Sequence, residues 1–346
     1  MKLSMSLSYA GGFHQAVEQV VAFERAGVDM VWVAEAYGND AATLMGYLAA
    51  KTERIEIASG ILPIYTRTPT LLAMTAAGLD ELTGGRAVLG LGASGPQVIE
   101  GFHGVPYDRP LQRTREIIDI CRKVWRRERV EYDGKVYQLP LPPDQGTGLG
   151  KALKIITRPQ RADIPIYVAS LGPKNVQMTA ELADGWLPIF FNPHRAGQVW
   201  GDDLAAGAAR RAPELGPLQI VAGGAIGFGD EDAARQVRDA VRPMAALYVG
   251  GMGAKGRNFY NDLFRRYGYE AEAEQIQDLY LGGQKDEAAA AIPDEFLRET
   301  SLFGDEGFVR DQIRAYQEAG VTALSVQPVG PDPIAVLEKV RAWADE

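Results

Sequence analysis

A chain of 346 residues, 46% of them hydrophobic, can bury one large core or two ordinary ones, and its net charge of −9 offers no surface for nucleic acid. Cys121 is the only cysteine, so no disulfide can form within the chain, which fits a reducing compartment. Residues 1–8 lack the apolar core of a signal peptide, and no run approaches the roughly 18 apolar residues a membrane span needs, so a soluble cytoplasmic protein is expected.

Strand and helix patterns alternate from the start. Residues 2–7 read as a short strand, and 14–26 as a helix with Ala16, Val17, Val20, Val21 and Phe23 at helical spacing and Gly27 as its stop. Residues 30–34 form an apolar run short enough for a buried strand, and a helix over 40–52 follows. The strand 55–59 stops at Gly60, turns through Ile61, Leu62 and Pro63, and leads to a helix over 70–82. Gly84 and Gly85 turn the chain into a strand over 87–91, and Pro110 suits the first turn of a helix over 110–125. The later half repeats the scheme: strand 164–169 and helix 174–183, strand 185–187, strand 219–225 and helix 230–247, strand 323–326 and helix 333–344.

Buried parallel strands read as continuous apolar runs, and most of these eight do. With no linker-like break, they predict a single (β/α)8 barrel over residues 1–346, in preference to a doubly wound open sheet. Two segments exceed a minimal barrel. Residues 130–153 are rich in Gly and Pro and are expected to lie over the barrel mouth; residues 250–298 are mostly polar and helical, over 270–281 and 285–291. Both read as insertions, not as domain boundaries.

Three turns at strand ends draw attention. Gly60 followed by Ile61 and Pro63 predicts a backbone bulge that presents an apolar bump, a buttress for a flat ring. Gly90, Gly92 and Gly95 satisfy the dinucleotide fingerprint, but Pro96 follows directly and the unit is the fourth in the chain. The preferred reading is that these glycines admit something close at a strand end, a cofactor ring or its side chain. Ser170-Leu171-Gly172-Pro173-Lys174-Asn175 joins a strand to a helix and sets a hydroxyl, backbone N–H groups and a lysine together, which suits a phosphate. The alternative there is an ordinary strand–helix turn with a solvated lysine.

Five stretches together resemble the luciferase-like flavin and deazaflavin oxidoreductases: VWVAEAYG at 31–38, SGILPIYTRTP at 59–69, LDELTGGR at 79–86, LGLGASGPQ at 89–97 and ADGW at 183–186. The second and fourth look most like the coenzyme F420-dependent branch. The resemblance implies a (β/α)8 barrel with its site at the carboxyl ends of the strands, a small-molecule substrate and a homodimer. It places Gly60 and Ile61 at a bulge where a non-prolyl cis peptide backs the deazaflavin. It places Ala93 and Ser94 at the ring's edge, and Ser170, Leu171 and Gly172 at the cofactor's side chain and phosphate. Helix-terminus physics extends that last group to Pro173, Lys174 and Asn175.

Departures from the family pattern are informative. The sugar-phosphate dehydrogenases of this branch carry an Asp-His pair where this chain has Glu35 and Ala36, and their later glutamate falls on Gly95 or Pro96. The histidines that FMN-dependent members often carry after the second strand are missing too, and only His14, His103 and His194 are present. Glu35 is a candidate general acid, with a structural carboxylate as the alternative; Tyr37 is a second candidate proton donor, with a place in the wall as its alternative. Tyr65, Arg67 and His103 are candidate substrate contacts, and no metal ligand set is expected. The expected activity is hydride transfer between coenzyme F420 and an unidentified organic substrate. An FMN-dependent luciferase-like monooxygenase and a cofactor-binding protein without turnover are the alternatives.

Overall fold

The computed structural model describes residues 1–7, 12–253 and 255–345; Ser8 of the N-terminal stretch, residue 254 of the second insertion and the last residue of the chain lie outside them. Eight parallel strands form a ring: β1 (Lys2–Ser6), β2 (Met30–Val33), β3 (Glu56–Ser59), β4 (Ala87–Gly92), β5 (Ile166–Ala169), β6 (Gly185–Leu187), β7 (Gln219–Phe228) and β8 (Ala323–Pro328). Each pairs with the next, and β8 returns to β1 through Lys2↔Ala323, Leu3↔Leu324 and Ser4↔Ser325. Closure excludes the doubly wound sheet and gives the (β/α)8 barrel that the alternation predicts.

Successive side chains on a strand point to opposite faces, so each strand serves two cores. Val31, Val33, Ile57, Leu89, Leu91, Ile166 and Val168 join the shell between barrel and helices. Met30, Trp32, Ala58, Val88, Tyr167, Val221 and Ala323 form a separate cluster inside the barrel, where the Trp32 and Tyr167 rings meet edge to face at 5.4 Å. Burial on both faces is why β2 and β4 are apolar throughout. Toward the carboxyl ends the same inward parity reaches Ser6, Ala34, Gly60, Gly92, Ala169, Leu187, Ala225 and Gln327. Most of these are small, in contrast to the large side chains that plug the layer below.

Several boundaries move for local reasons. The helix expected over 70–82 is Pro69–Thr83, because Pro69 takes its first turn and the Thr68 hydroxyl accepts from the Leu71 N–H. Strand β7 runs on to Phe228, because its end pairs with a short strand, Leu302–Gly304, that the sequence reading missed. Helices Ala196–Ala208 and Glu306–Glu318 were missed as well; on the second, only Val309, Gln312, Ile313 and Tyr316 are buried.

The segment 130–153 does not lie over the mouth, as expected, but along the helix Pro110–Trp125. It contains a hairpin, Tyr132–Asp133 against Gln138–Leu139. Fully buried Glu116, on that helix, accepts the backbone N–H groups of Lys135, Val136 and Tyr137 at 2.8–3.2 Å. Tyr132 donates to Asp119, and Arg109 donates to the Lys135 carbonyl. A Cβ on Gly134 would collide with the Glu116 carboxylate, which is why the turn carries glycine there.

The second excursion rises from the carboxyl end of β7. After the helix Glu231–Ala246 come a π turn, Leu247–Gly251, and the helices Phe259–Arg266, Glu270–Leu281, Lys285–Ala290 and Asp294–Thr300. It docks against the loop after β6: the Tyr267 hydroxyl donates to the Phe190 carbonyl at 2.9 Å and accepts from the Asn192 N–H at 3.1 Å. Among the described residues no helix is long and apolar enough to cross a membrane.

Candidate active site

The open end of the barrel is shaped by the turn after β3. The Gly60–Ile61 peptide is cis. Gly60 donates its N–H to the Val33 carbonyl at 2.7 Å, and the next two residues, Leu62–Pro63, pair with Leu91 and Gly92 of β4. A Cβ on Gly60 would lie 3.0 Å from Trp32 Cβ, and one on Gly92 would lie 2.8 Å from Ile61 Cγ1. Ile61 is therefore seated over Gly92, with Trp32 beside Gly60. The glycines of the apparent fingerprint have the same explanation. A Cβ on Gly90 would collide with the Ser59 carbonyl, and the Ser59 hydroxyl is hydrogen-bonded to both the carbonyl and the N–H of Gly90. Backbone and Ile61 lie against Gly90 and Gly92, and nothing lies within 4 Å of a Cβ on Gly95.

Glu35 and Arg67 meet at the rim between β2 and β3. Arg67 donates to both carboxylate oxygens of Glu35, at 2.5 and 2.8 Å, and Glu35 also accepts the Ala41 N–H at 2.9 Å. The same guanidinium bonds Asp40, whose carboxylate caps the helix Ala41–Ala49 by accepting the Thr43 N–H. Hydrogen bonding to Glu35, ahead of the opposing effect of burial, raises the Arg67 pKa. Burial acts to raise the Asp40 pKa, but its bonds to Thr43 and Arg67 outweigh it and lower the value. Of the two readings of Glu35, this geometry favours the structural one: both oxygens are engaged, and Arg67 is spent on two carboxylates.

The other candidates divide by exposure. Tyr37 is 69% exposed, its ring 6.2 Å from that of Phe102, which in turn meets His103 at 5.1 Å. Tyr65 is buried; its hydroxyl donates to the Asp108 carbonyl at 2.8 Å, and its ring lies between Tyr107 at 5.0 Å and the Arg113 guanidinium at 4.8 Å. Ala93 is half-buried, and Ser94 is exposed in a left-handed conformation with φ 56°. The Tyr107 hydroxyl reaches the Ser94 carbonyl at 3.4 Å.

The turn after β5 differs in detail from the expectation. Ser170 is buried, its hydroxyl shares a hydrogen bond with Thr179 at 2.9 Å, and its carbonyl accepts from Trp186. That hydroxyl is turned into the adjoining helix, Pro173–Leu182, and away from the mouth. Gly172 borders open space, and Lys174 is exposed beside it. The Asn175 side-chain oxygen is buried with no hydrogen-bond partner. Sequence reasoning missed an aromatic cluster joining the loop after β6 to the second excursion. Phe190 of that loop packs with Tyr248 and Tyr260 of the excursion, ring centroids 4.8–6.4 Å apart. Tyrosines spaced irregularly through 248–269 were the available signal. No group of metal-ligating side chains occurs among the described residues.

The sequence profile of the luciferase-like monooxygenase family matches residues 1–323. The chain belongs to that family. It is 46% identical over 332 residues, 94% of each chain, to a Mycobacterium tuberculosis protein provisionally named a coenzyme F420-dependent oxidoreductase. It is 29% identical to the 5,10-methylenetetrahydromethanopterin reductase of Archaeoglobus fulgidus, over 89% of this chain and 88% of that one. Among solved structures, the coenzyme F420-dependent tetrahydromethanopterin reductase of Methanopyrus kandleri superposes with a TM-score of 0.79 at 24% identity, covering 98% and 96% of the two chains. That likeness speaks to the family fold.

Proposed function

We propose that this luciferase-like family member is a coenzyme F420-dependent oxidoreductase that moves a hydride between the deazaflavin and an organic substrate. The observation that carries the reading is the turn after β3. Its cis Gly60–Ile61 peptide seats Ile61 over Gly92 at the carboxyl ends of the strands, above the Trp32–Tyr167 plug, an apolar bump that suits the face of a flat ring. Likeness to a relative named for coenzyme F420 adds support.

The residues present fit such a cofactor. Gly60 and Ile61 would back its ring, and Ala93 and Ser94 would border the ring's edge. Leu171 and Gly172 lead into the helix Pro173–Leu182, whose first-turn N–H groups, with Lys174 and Asn175, would hold a phosphate. Ser170 shapes that turn through Thr179. When bound, the deazaflavin supplies two-electron chemistry; the chain's part is to bind, orient and exclude water. Glu35 and Arg67 brace the loops after β2 and β3, and Tyr37 and His103 stand at the rim.

We read the chain as one barrel domain with two insertions, cytoplasmic and homodimeric. Leu71 and Met74 on the helix Pro69–Thr83 are 44% and 54% exposed, beside Tyr47 at 37% on Ala41–Ala49, an apolar face that a second copy would cover.

Fluorescence titration with coenzyme F420 and with FMN, side by side, tests the cofactor assignment. Tight binding of the deazaflavin alone is expected. Preference for FMN would move the protein to the monooxygenase reading, and binding of neither would overturn both. In the same assay Glu35→Gln is expected to weaken F420 binding several-fold; unchanged affinity would remove the bracing role.

A further inference from the structure

One wall of the barrel interior is polar and unspent. Ser6 on β1 pairs with Trp32 on β2, and Ala225 on β7 pairs with Gln327 on β8. The register between β1 and β8, Ser4↔Ser325, carried two residues further sets Ser6 beside Gln327. Gln327, Ser6 and Trp32 thus share one rung on neighbouring strands, with Ser325 and Ser4 on the rung below. All of them have the parity of Met30 and Ala323, which face the interior. Trp32 turns Cε3 and Cζ3 toward Gly60 and Gly90, which leaves its pyrrole N–H on the side of β1.

None of these side chains is hydrogen-bonded within the described residues. Ser4 is fully buried and Trp32 is 5% exposed, yet Ser4 Oγ and Trp32 Nε1 have no partner. The Ser6 and Ser325 hydroxyls and the Gln327 amide make no side-chain hydrogen bond there either. Buried polar groups are as a rule paired, so a run of unspent ones on adjoining strands marks a surface for something that arrives. Ser6 and Gln327 are exposed and Ser325 is half-buried although all three point inward, so a molecule entering at the mouth can reach them. β8 stands opposite β4 in the ring, which sets this wall across the barrel from Ile61 over Gly92.

No inward position at these strand ends carries a charge, and at the rim Arg67 is held by Glu35 and Asp40. A carboxylate or phosphate moved onto this wall would lose water and meet no cation, which is costly. A neutral hydroxyl or carbonyl oxygen would gain hydrogen bonds from groups that otherwise go without.

We infer that Ser6, Ser325 and Gln327 form the substrate-side subsite, which takes an uncharged compound through its hydroxyl or carbonyl oxygens and excludes carboxylates and phosphate esters. This rests on the oxidoreductase reading for its purpose, but the wall itself is a property of the chain. Ser4 and Trp32 lie behind those three, with Trp32 Nε1 as a further donor.

NMR titration with hydroxyacetone and with pyruvate, which share a three-carbon skeleton and differ in charge, tests it with F420 present and absent. Hydroxyacetone should bind saturably and about fivefold more tightly than pyruvate, and should move the indole N–H signal that Trp32→Phe removes. Ser325→Ala and Gln327→Leu should each weaken hydroxyacetone by about fivefold while leaving F420 affinity unchanged. Gln327→Lys places a cation on the wall and should reverse the preference toward pyruvate, an outcome that mere loss of folding would not give. Absence of saturable hydroxyacetone binding, equal or tighter binding of pyruvate, or affinity indifferent to these variants would overturn the assignment. Failure of the unaltered protein to bind F420 would count against the proposed function alone, because hydroxyacetone binding without cofactor still reads the wall.

Discussion

The hairpin at 130–153 and the helical excursion after β7 leave the same barrel, one secured by a buried carboxylate and the other by packed rings. The hairpin's strands are two residues each, too short to hold by their own pairing. Its position is set by Glu116, which gathers three consecutive backbone N–H groups and the Gln112 amide. The helical excursion is centred on Phe296, whose ring lies 4.6 Å from Phe264 and 5.9 Å from Tyr267. A carboxylate anchor depends on direction and on its charge; an aromatic anchor depends on volume. The two regions should therefore fail under different insults.

The largest effect is expected for Phe296→Ala. Removing this buried ring leaves a cavity costing about 3–5 kcal/mol, read as a fall in the urea midpoint together with faster amide exchange across 259–300. Normal exchange in those helices would show that rings do not hold them. Next is Glu116→Ala, which strands three backbone donors and should cost about 3 kcal/mol, with the loss of exchange protection confined to 134–138. A loss of protection that spread to the helical excursion would erase the contrast between the two anchors.

Acid should separate them further. Burial acts to raise the Glu116 pKa, but the bonds from Gln112 and the Tyr137, Val136 and Lys135 amides outweigh it and hold the value below the ordinary 4.5. A carboxyl depressed on folding contributes stability that is present in full above its unfolded pKa and lost as pH falls through the lower folded one. Exchange at 135–137, corrected for its intrinsic pH dependence, should thus accelerate below about pH 4.5 while 259–300 holds, and Glu116→Gln should abolish the dependence. The smallest effect is expected for Tyr137→Phe, which removes the acceptor for Arg113 and should cost about 1 kcal/mol in the same urea experiment.

The barrel was legible because its strands are buried on both faces and so appear as unbroken apolar runs. The turn at Gly60 and Ile61 was legible for a similar reason: a glycine, a branched residue and a proline in a row leave the backbone few options. What stayed hidden depends on partners far along the chain. Glu35 could not be read as an ion-paired carboxylate because Arg67 lies 32 positions away, and no spacing rule joins a strand end to the turn after the next strand. Nothing in the helix over 110–125 marks Glu116 as the carboxylate that collects residues 135–137, so the segment 130–153 was expected over the mouth. The Ser170 hydroxyl resembled a phosphate ligand until Thr179, nine residues on, claimed it. The Phe190–Tyr248–Tyr260 cluster has no local pattern at all, because it joins rings 58 and 70 positions apart along the chain.

The inward row of small residues at the carboxyl ends has a consequence for how this molecule can diversify. The socket belongs to the strands, where Gly90 and Gly92 are locked against Ser59 and Ile61 and any side chain would displace a neighbour. The hairpin at 130–153 and the helical excursion after β7 are connecting segments that can be lengthened, shortened or exchanged without touching that lock. Variation can therefore be confined to them: a descendant lineage can acquire a new partner molecule by rewriting loops while inheriting the strand ends intact.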